Sequence, residues 1–369
     1  MTMLGNIEIQ KMSFHQVCNK EEIERIFNIQ NASDYLLKLR ADTIVDNMRL
    51  FRVYRNKALT DPKNWSLEKS FDSKHYDGFL RSISSEKRTT CSRITFGNIF
   101  STDPNGLIFQ TDYGPIITIC DSLRFFLKFS HLALLGLHNN VPSHVRLNSL
   151  RIAIRVMLKT ETLDFLMDPR GIIPADIEKA INAHIPLQLQ FIAGHEFAHY
   201  ICGHLSESKV STKPIYFAAS SKFQDYKPST VYNNSQAQEI EADVHSILLP
   251  RLSKRKKRDL LGATLLWFGC LELYEAVCAV LCLTSPWDPQ SHPTARDRFK
   301  NLLSEFSVQL QMDKSVWDRF QSMIDEYKEV LLKDVAINTE GYEIYGSAYL
   351  DEPNTEWRGK ELKDRIDYY

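Results

Sequence analysis

Leu187-Gln-Leu-Gln-Phe-Ile-Ala-Gly-His-Glu-Phe-Ala-His-Tyr-Ile-Cys202 decides the reading of this chain. The pattern is helical, and it carries His195-Glu196-Phe197-Ala198-His199, an H-E-x-x-H arrangement. On a helix, positions i and i+4 lie one turn apart on one face, so His195 and His199 can direct two imidazoles at one metal ion. Glu196 stands about 100° round from His195, within reach of a water on that metal. Zinc is the expected ion, because it lowers the pKa of a bound water to about 7 and a neighbouring carboxylate can then take the proton. The competing reading is an ordinary helix that happens to carry two histidines, and the rest of the chain has to decide between them.

Composition narrows the possibilities. The 369 residues are 43% hydrophobic and 25% charged, enough to bury a sizeable core. A net charge of −1 gives no electrostatic bias toward nucleic acid or an acidic membrane surface. Seven cysteines, an odd number with no C-x-x-C pair, suit reduced thiols in the cytoplasm. The N-terminus shows no basic segment followed by an apolar one, so no signal peptide is expected. The apolar run 260–283, preceded by Lys254-Arg-Lys-Lys-Arg258, is long enough to span a bilayer. Glu272 and Glu275 near its middle would be costly in lipid, which favours a buried central helix and no membrane insertion.

Outward from the motif, the chain divides by texture. Residues 1–85 read as a helical N-terminal region, with His15 and His75 structural. Between Ser92 and Cys120, β-branched and aromatic runs separated by Asp103-Pro-Asn-Gly106 and Asp112-Tyr-Gly114 predict a small antiparallel sheet. Helices follow at 123–137 and 145–158, and Pro186 suits the first turn of the motif helix. Gly203 ends that helix. His204 does not fit the spacing of a third histidine ligand, and on a continued helix it would point about 140° from His199. The polar stretch 206–234 reads as a mobile rim or lid. Ser235 with Gln238 forms a capping box that starts a helix ending at Pro250. On it, Glu239 and Asp243 share a face. They are either a solvated acidic face or a third zinc ligand with a carboxylate behind it that orients a histidine. Glu241 reads as a surface residue and His245 as structural. Residues 299–333 are helical and amphipathic, and the chain closes in a polar tail.

Three signals stand in order: His195-Glu-Phe-Ala-His-Tyr-Ile-Cys-Gly-His204, Glu239-Ile-Glu-Ala-Asp243 and His292-Pro-Thr-Ala-Arg-Asp-Arg298. This resembles the gluzincin metallopeptidases, in particular the HtpX-like and CAAX-processing proteases, and also the Lit-type phage-exclusion peptidases. The resemblance covers about residues 186 to 300. It implies an α+β, mostly helical fold: a zincin-like metallopeptidase core with the small sheet, flanked by helical regions. The expected divisions are 1–85, 86–300 for the metallopeptidase domain, and 301–369 for a C-terminal helical region and tail. By the resemblance, His195, His199 and Glu239 bind Zn2+ and Glu196 is the general base. Asp243 supports a ligand histidine, His292 stabilises the oxyanion, and Arg298 holds that site in place. The lack of clear transmembrane helices sets this chain apart from the HtpX-like group.

The function this implies is a cytoplasmic zinc endopeptidase acting on an intracellular protein or peptide. By analogy with the Lit-type proteins, it is a regulated defence or toxin protease answering to a partner or trigger. No nucleic-acid partner is expected. The alternative is a non-catalytic binding or sensor module with a structural zinc site, against which an intact Glu196 argues.

Overall fold

The structure, a computed structural model, describes residues 11–101, 106–136, 140–207, 209–213, 229–233, 235–281 and 293–351. Of the expected lid 206–234, residues 208, 214–228 and 234 lie outside the described residues, as do His292 and the polar tail from 352 onward.

After helical residues 11–14 come three helices: α1 (Lys20–Phe27), α2 (Ala32–Asp46) and α3 (Met48–Thr60). The first begins with a capping box between Asn19 and Glu22, which satisfies two helix-end donors reciprocally. Two short helices, α4 (Lys74–Ser82) and α5 (Ser85–Thr90), lead into the sheet.

Strands β1 (Thr95–Ile99), β2 (Gly106–Thr111) and β3 (Gly114–Cys120) stand where the β-branched runs predict them. The sheet is mixed, however, not wholly antiparallel. β2 and β3 form the expected antiparallel hairpin, but β1 lies on the far edge of β3 and runs parallel to it, from Thr95 opposite Ile116 to Ile99 opposite Cys120. The reason lies in β3. Ile116, Ile117, Thr118, Ile119 and Cys120 are all buried, so both faces of β3 are covered, and it takes the middle position with both edges paired. A run of apolar residues announces burial but not neighbour order. A second hairpin, β4 (Lys209–Lys213) and β5 (Ser229–Asn233), joins the outer edge of β2 through Phe109 and Gln110.

The period-two alternation of the strands splits the core. Ile108, Ile117 and Ile119 face the main cluster, whereas Phe109, Ile116 and Ile99 pack with Tyr35, Leu36 and Leu39 of α2. The main cluster is helical. It holds α6 (Leu123–Gly136), α7 (Ser143–Leu158), α8 (Ala175–Asn182), the motif helix α9 (Ile185–Ile201), α11 (Gln236–Leu248), α12 (Lys254–Val280), α13 (Ala295–Leu310) and α14 (Lys314–Ile337). A single turn, α10 (His204–Glu207), follows α9.

Helix α12 is the apolar run. It is long and apolar enough to cross a membrane, yet 83% of its most apolar stretch is buried inside the protein. Its two glutamates have partners. Glu272 pairs with Arg296 at 2.8 Å, and Glu275 accepts the Ala295 backbone N–H at 3.0 Å. Both therefore anchor the start of α13, where a carboxylate also complements the positive end of the helix dipole.

Candidate metal centre

Helix α9 carries the motif through the middle of the molecule. Pro186 sits in its first turn, and its last turn ends at Gly203, whose φ of +80° is a conformation that glycine adopts without strain. His195, Glu196 and His199 are all buried. Gly194 lets helix α4 approach, since a Cβ there would lie 2.7 Å from the Phe79 ring, which stacks on Phe197. Helix α11 lies alongside, held at its start by the Ser235–Gln238 capping box, and turns Glu239 and Asp243 toward α9.

Three donor groups converge. His195 Nε2 and His199 Nε2 lie 3.0 Å apart, and each is 3.3 Å from an oxygen of Glu239. Four-coordinate zinc with ligands at 2.0–2.1 Å sets neighbouring donors about 3.3 Å apart. The spacing therefore suits three ligands on one small cation.

The outer partners fix which ring nitrogens turn toward Glu239. His195 Nδ1 lies 2.9 Å from Asp243 Oδ1. A carboxylate can only accept, so Nδ1 carries the hydrogen and Nε2 turns toward Glu239. Asp243 is held in turn by Arg298, whose Nε donates to Oδ2 at 2.7 Å and Nη2 to Oδ1 at 2.5 Å, while the guanidinium stacks over Phe268. His199 Nδ1 faces His204 Nδ1 at 2.9 Å, and His204 Nε2 faces Glu241 Oε2 at 3.2 Å. With Glu241 accepting from Nε2, His204 offers its Nδ1 lone pair to the Nδ1–H of His199. Both histidines are thus set to present Nε2 to the same point.

Electrostatics follow from this arrangement. Burial would lower the His195 pKa, but its hydrogen bonds to Asp243 and Glu239 overcome that and raise it to about 10. In the metal-free chain a proton therefore occupies the place on Nε2 that a cation would take. His199 is lowered to about 4, mainly by burial. Asp243 is buried, which alone would raise it, yet the Arg298 charge holds it below the ordinary carboxylate range. Glu196 is raised to about 7 by burial, against the opposing pull of His195 and a hydrogen bond from the Ile108 backbone.

Glu196 faces strand β2. A Cβ at Gly106 would lie 2.9 Å from Glu196 Oε1 and 2.9 Å from Ile192 Cγ2, so only glycine lets the strand pass this close. The structure thus gathers His195, Glu196, His199, Glu239, Asp243 and Arg298 in one place. It adds three residues that spacing alone does not reveal: His204, its exposed partner Glu241, and Gly106. His204 carried a sequence signal, the Gly203-His204 pair after the motif, but its contact with Glu241 joins two separate helices.

Residues 172–319 match the Peptidase U49 family, and that family implies a peptidase acting on a protein substrate. Comparisons with curated proteins and with solved structures found no match.

Proposed function

We propose that this chain is a zinc-dependent endopeptidase of the gluzincin type, working on a protein in the cytoplasm. The observation that carries the reading is the convergence of two histidine Nε2 atoms and the Glu239 carboxylate beside a buried Glu196. His195, His199 and Glu239 would hold the zinc; two neutral imidazoles and one carboxylate leave it a net positive charge and an open position. When bound, zinc supplies the acidity of a water and the polarisation of the scissile carbonyl.

The chain's own residues do the rest. Glu196, buried with a raised pKa, takes the proton from the attacking water and returns it to the departing amine. Asp243 orients His195, and Arg298 keeps Asp243 ionised and in place. His204 does the same for His199 through Glu241. His292, which lies outside the described residues, is assigned to the oxyanion on the strength of the family resemblance. The substrate would lie along β2, the strand beside Glu196; among the described residues, β5 pairs with β2 only through Phe109 and Gln110. An added peptide strand would use the Gly106–Ile108 end. A defence or toxin role, with a trigger releasing the activity, rests on the Lit-type resemblance.

Metal analysis on purified wild type and Glu239→Ala tests the ligand set. About one zinc per chain, lost in the variant, is expected; a wild-type chain that takes up no zinc would overturn it. Glu196→Gln separates a protease from a structural-zinc binding module. It should keep its metal and lose proteolysis and any cellular effect, whereas a binding module would keep the effect.

A further inference from the structure

One turn beyond His199, on the outer side of the same pair of helices, a second set of metal-binding groups comes together. Cys202 Sγ, a Glu241 carboxylate oxygen and a His245 ring nitrogen all lie within 4.8 Å of one another. Glu241 and His245 are i and i+4 on α11, so they share a face, and Cys202 closes α9 opposite them. We propose that these three residues form a second, solvent-facing site for a borderline divalent cation of the zinc and cobalt class.

The chemistry of the donors supports this. His245 Nδ1 lies 2.9 Å from the Glu241 backbone oxygen, which can only accept. The hydrogen therefore sits on Nδ1, and Nε2 keeps the lone pair that a metal needs. Glu241 engages His204 through one oxygen, Oε2, and its side chain is 51% exposed, so the carboxylate is open to a cation from solvent. Cys202 is the one described cysteine that is not buried; Cys18, Cys91, Cys120, Cys270 and Cys278 all are. A sulfur, a nitrogen and a carboxylate oxygen favour zinc or cobalt over magnesium or calcium, which take oxygen ligands. Three protein ligands leave the fourth position to water. Binding exchanges the thiol proton of Cys202 for the metal, and the proton leaves to solvent.

The site does not depend on the metallopeptidase reading. It shares no ligand with His195, His199 and Glu239, although His204 stands between the two, with one ring nitrogen toward His199 and the other toward Glu241.

Cobalt alone is the probe. A cobalt–thiolate bond gives a near-ultraviolet charge-transfer absorption that imidazole and carboxylate ligands do not. Metal-free wild-type protein titrated with Co2+ should develop this band. Glu239→Ala should develop it too, His245→Ala should show it weakened, and Cys202→Ser should lack it. A wild-type chain without the band at saturating cobalt, or Cys202→Ser with the band undiminished, overturns the proposal. Should Cys202→Ser fail to fold, alkylation of the wild-type thiol decides: zinc must slow modification of Cys202, and equal rates with and without zinc refute the site.

Discussion

At the scale of single residues, the proposed metal centre is governed by what stands behind each of its three groups. His195 is gripped by Asp243, and Asp243 by the two-pronged contact of Arg298. Outer partners of this kind are worth about 10- to 100-fold in metal affinity, so Asp243→Asn should weaken zinc binding by that amount in a competition titration. His204→Phe should weaken it less, because a neutral imidazole is a poorer acceptor for the Nδ1–H of His199 than the Asp243 carboxylate is for that of His195. The sign of the pH dependence follows from His195. Its pKa is raised to about 10, so at lower pH the metal must displace a proton from Nε2. Affinity should rise roughly tenfold for each pH unit between about pH 6 and 9, and the slope should flatten in Asp243→Asn. A flat profile in wild type would refute the competition.

Elements meet in this protein through glycines. Helix α9 touches α4 at Gly194 and β2 at Gly106, and in both places a methyl group has no room. Gly194→Ala would press on the Phe79 ring and should cost about 1–3 kcal/mol in urea unfolding. Combining it with Phe79→Leu should recover part of that loss, because the two changes share one contact. Gly106→Ala acts differently. Its methyl would crowd the Glu196 carboxyl and not the three groups proposed to hold the metal, so on the proposed function zinc content should hold while proteolysis falls by about 100-fold, the scale of a 1 Å misplacement. Equal loss of zinc and activity would mean that β2 supports the ligands themselves.

At the scale of the whole molecule, a buried ionic cluster apart from the motif ties distant segments of the chain together. Arg170 reaches Glu161 at 2.8 Å, Asp164 at 2.6 Å and Asp168 at 3.0 Å. Arg155 holds the other oxygen of Glu161 at 2.8 Å and donates to the carbonyls of Thr160, Ile344 and Gly346. Arg49 of α3 joins Asp164 at 2.9 Å. The N-terminal helices, the 161–170 loop and the segment near 346 are thus bound at one point. Removing one partner of a buried pair leaves a charge without compensation and costs about 3–5 kcal/mol. Arg170→Met should show that loss in denaturant unfolding and keep its zinc stoichiometry; a change below about 1 kcal/mol would mean that solvent already reaches the cluster.

What the sequence determined by itself was local. The i, i+4 spacing placed His195 and His199 on one face, and the same spacing placed Glu239 and Asp243. The Ser235–Gln238 box fixed where α11 starts, the β-branched runs marked all three strands between residues 95 and 120, and Glu272 and Glu275 argued α12 into the interior. Each of these rests on helix or strand periodicity, which a short window contains in full. Tertiary structure decided the rest. It put β1 parallel to β3 because a strand buried on both faces needs two neighbours. It set Glu241 behind His204, brought Gly106 against Glu196, and closed Arg49, Arg155 and Arg170 around Glu161 and Asp164. These contacts join residues separated by 6 to 115 positions. No periodicity encodes them, since they exist only where packed helices and strands bring distant side chains within a few ångströms.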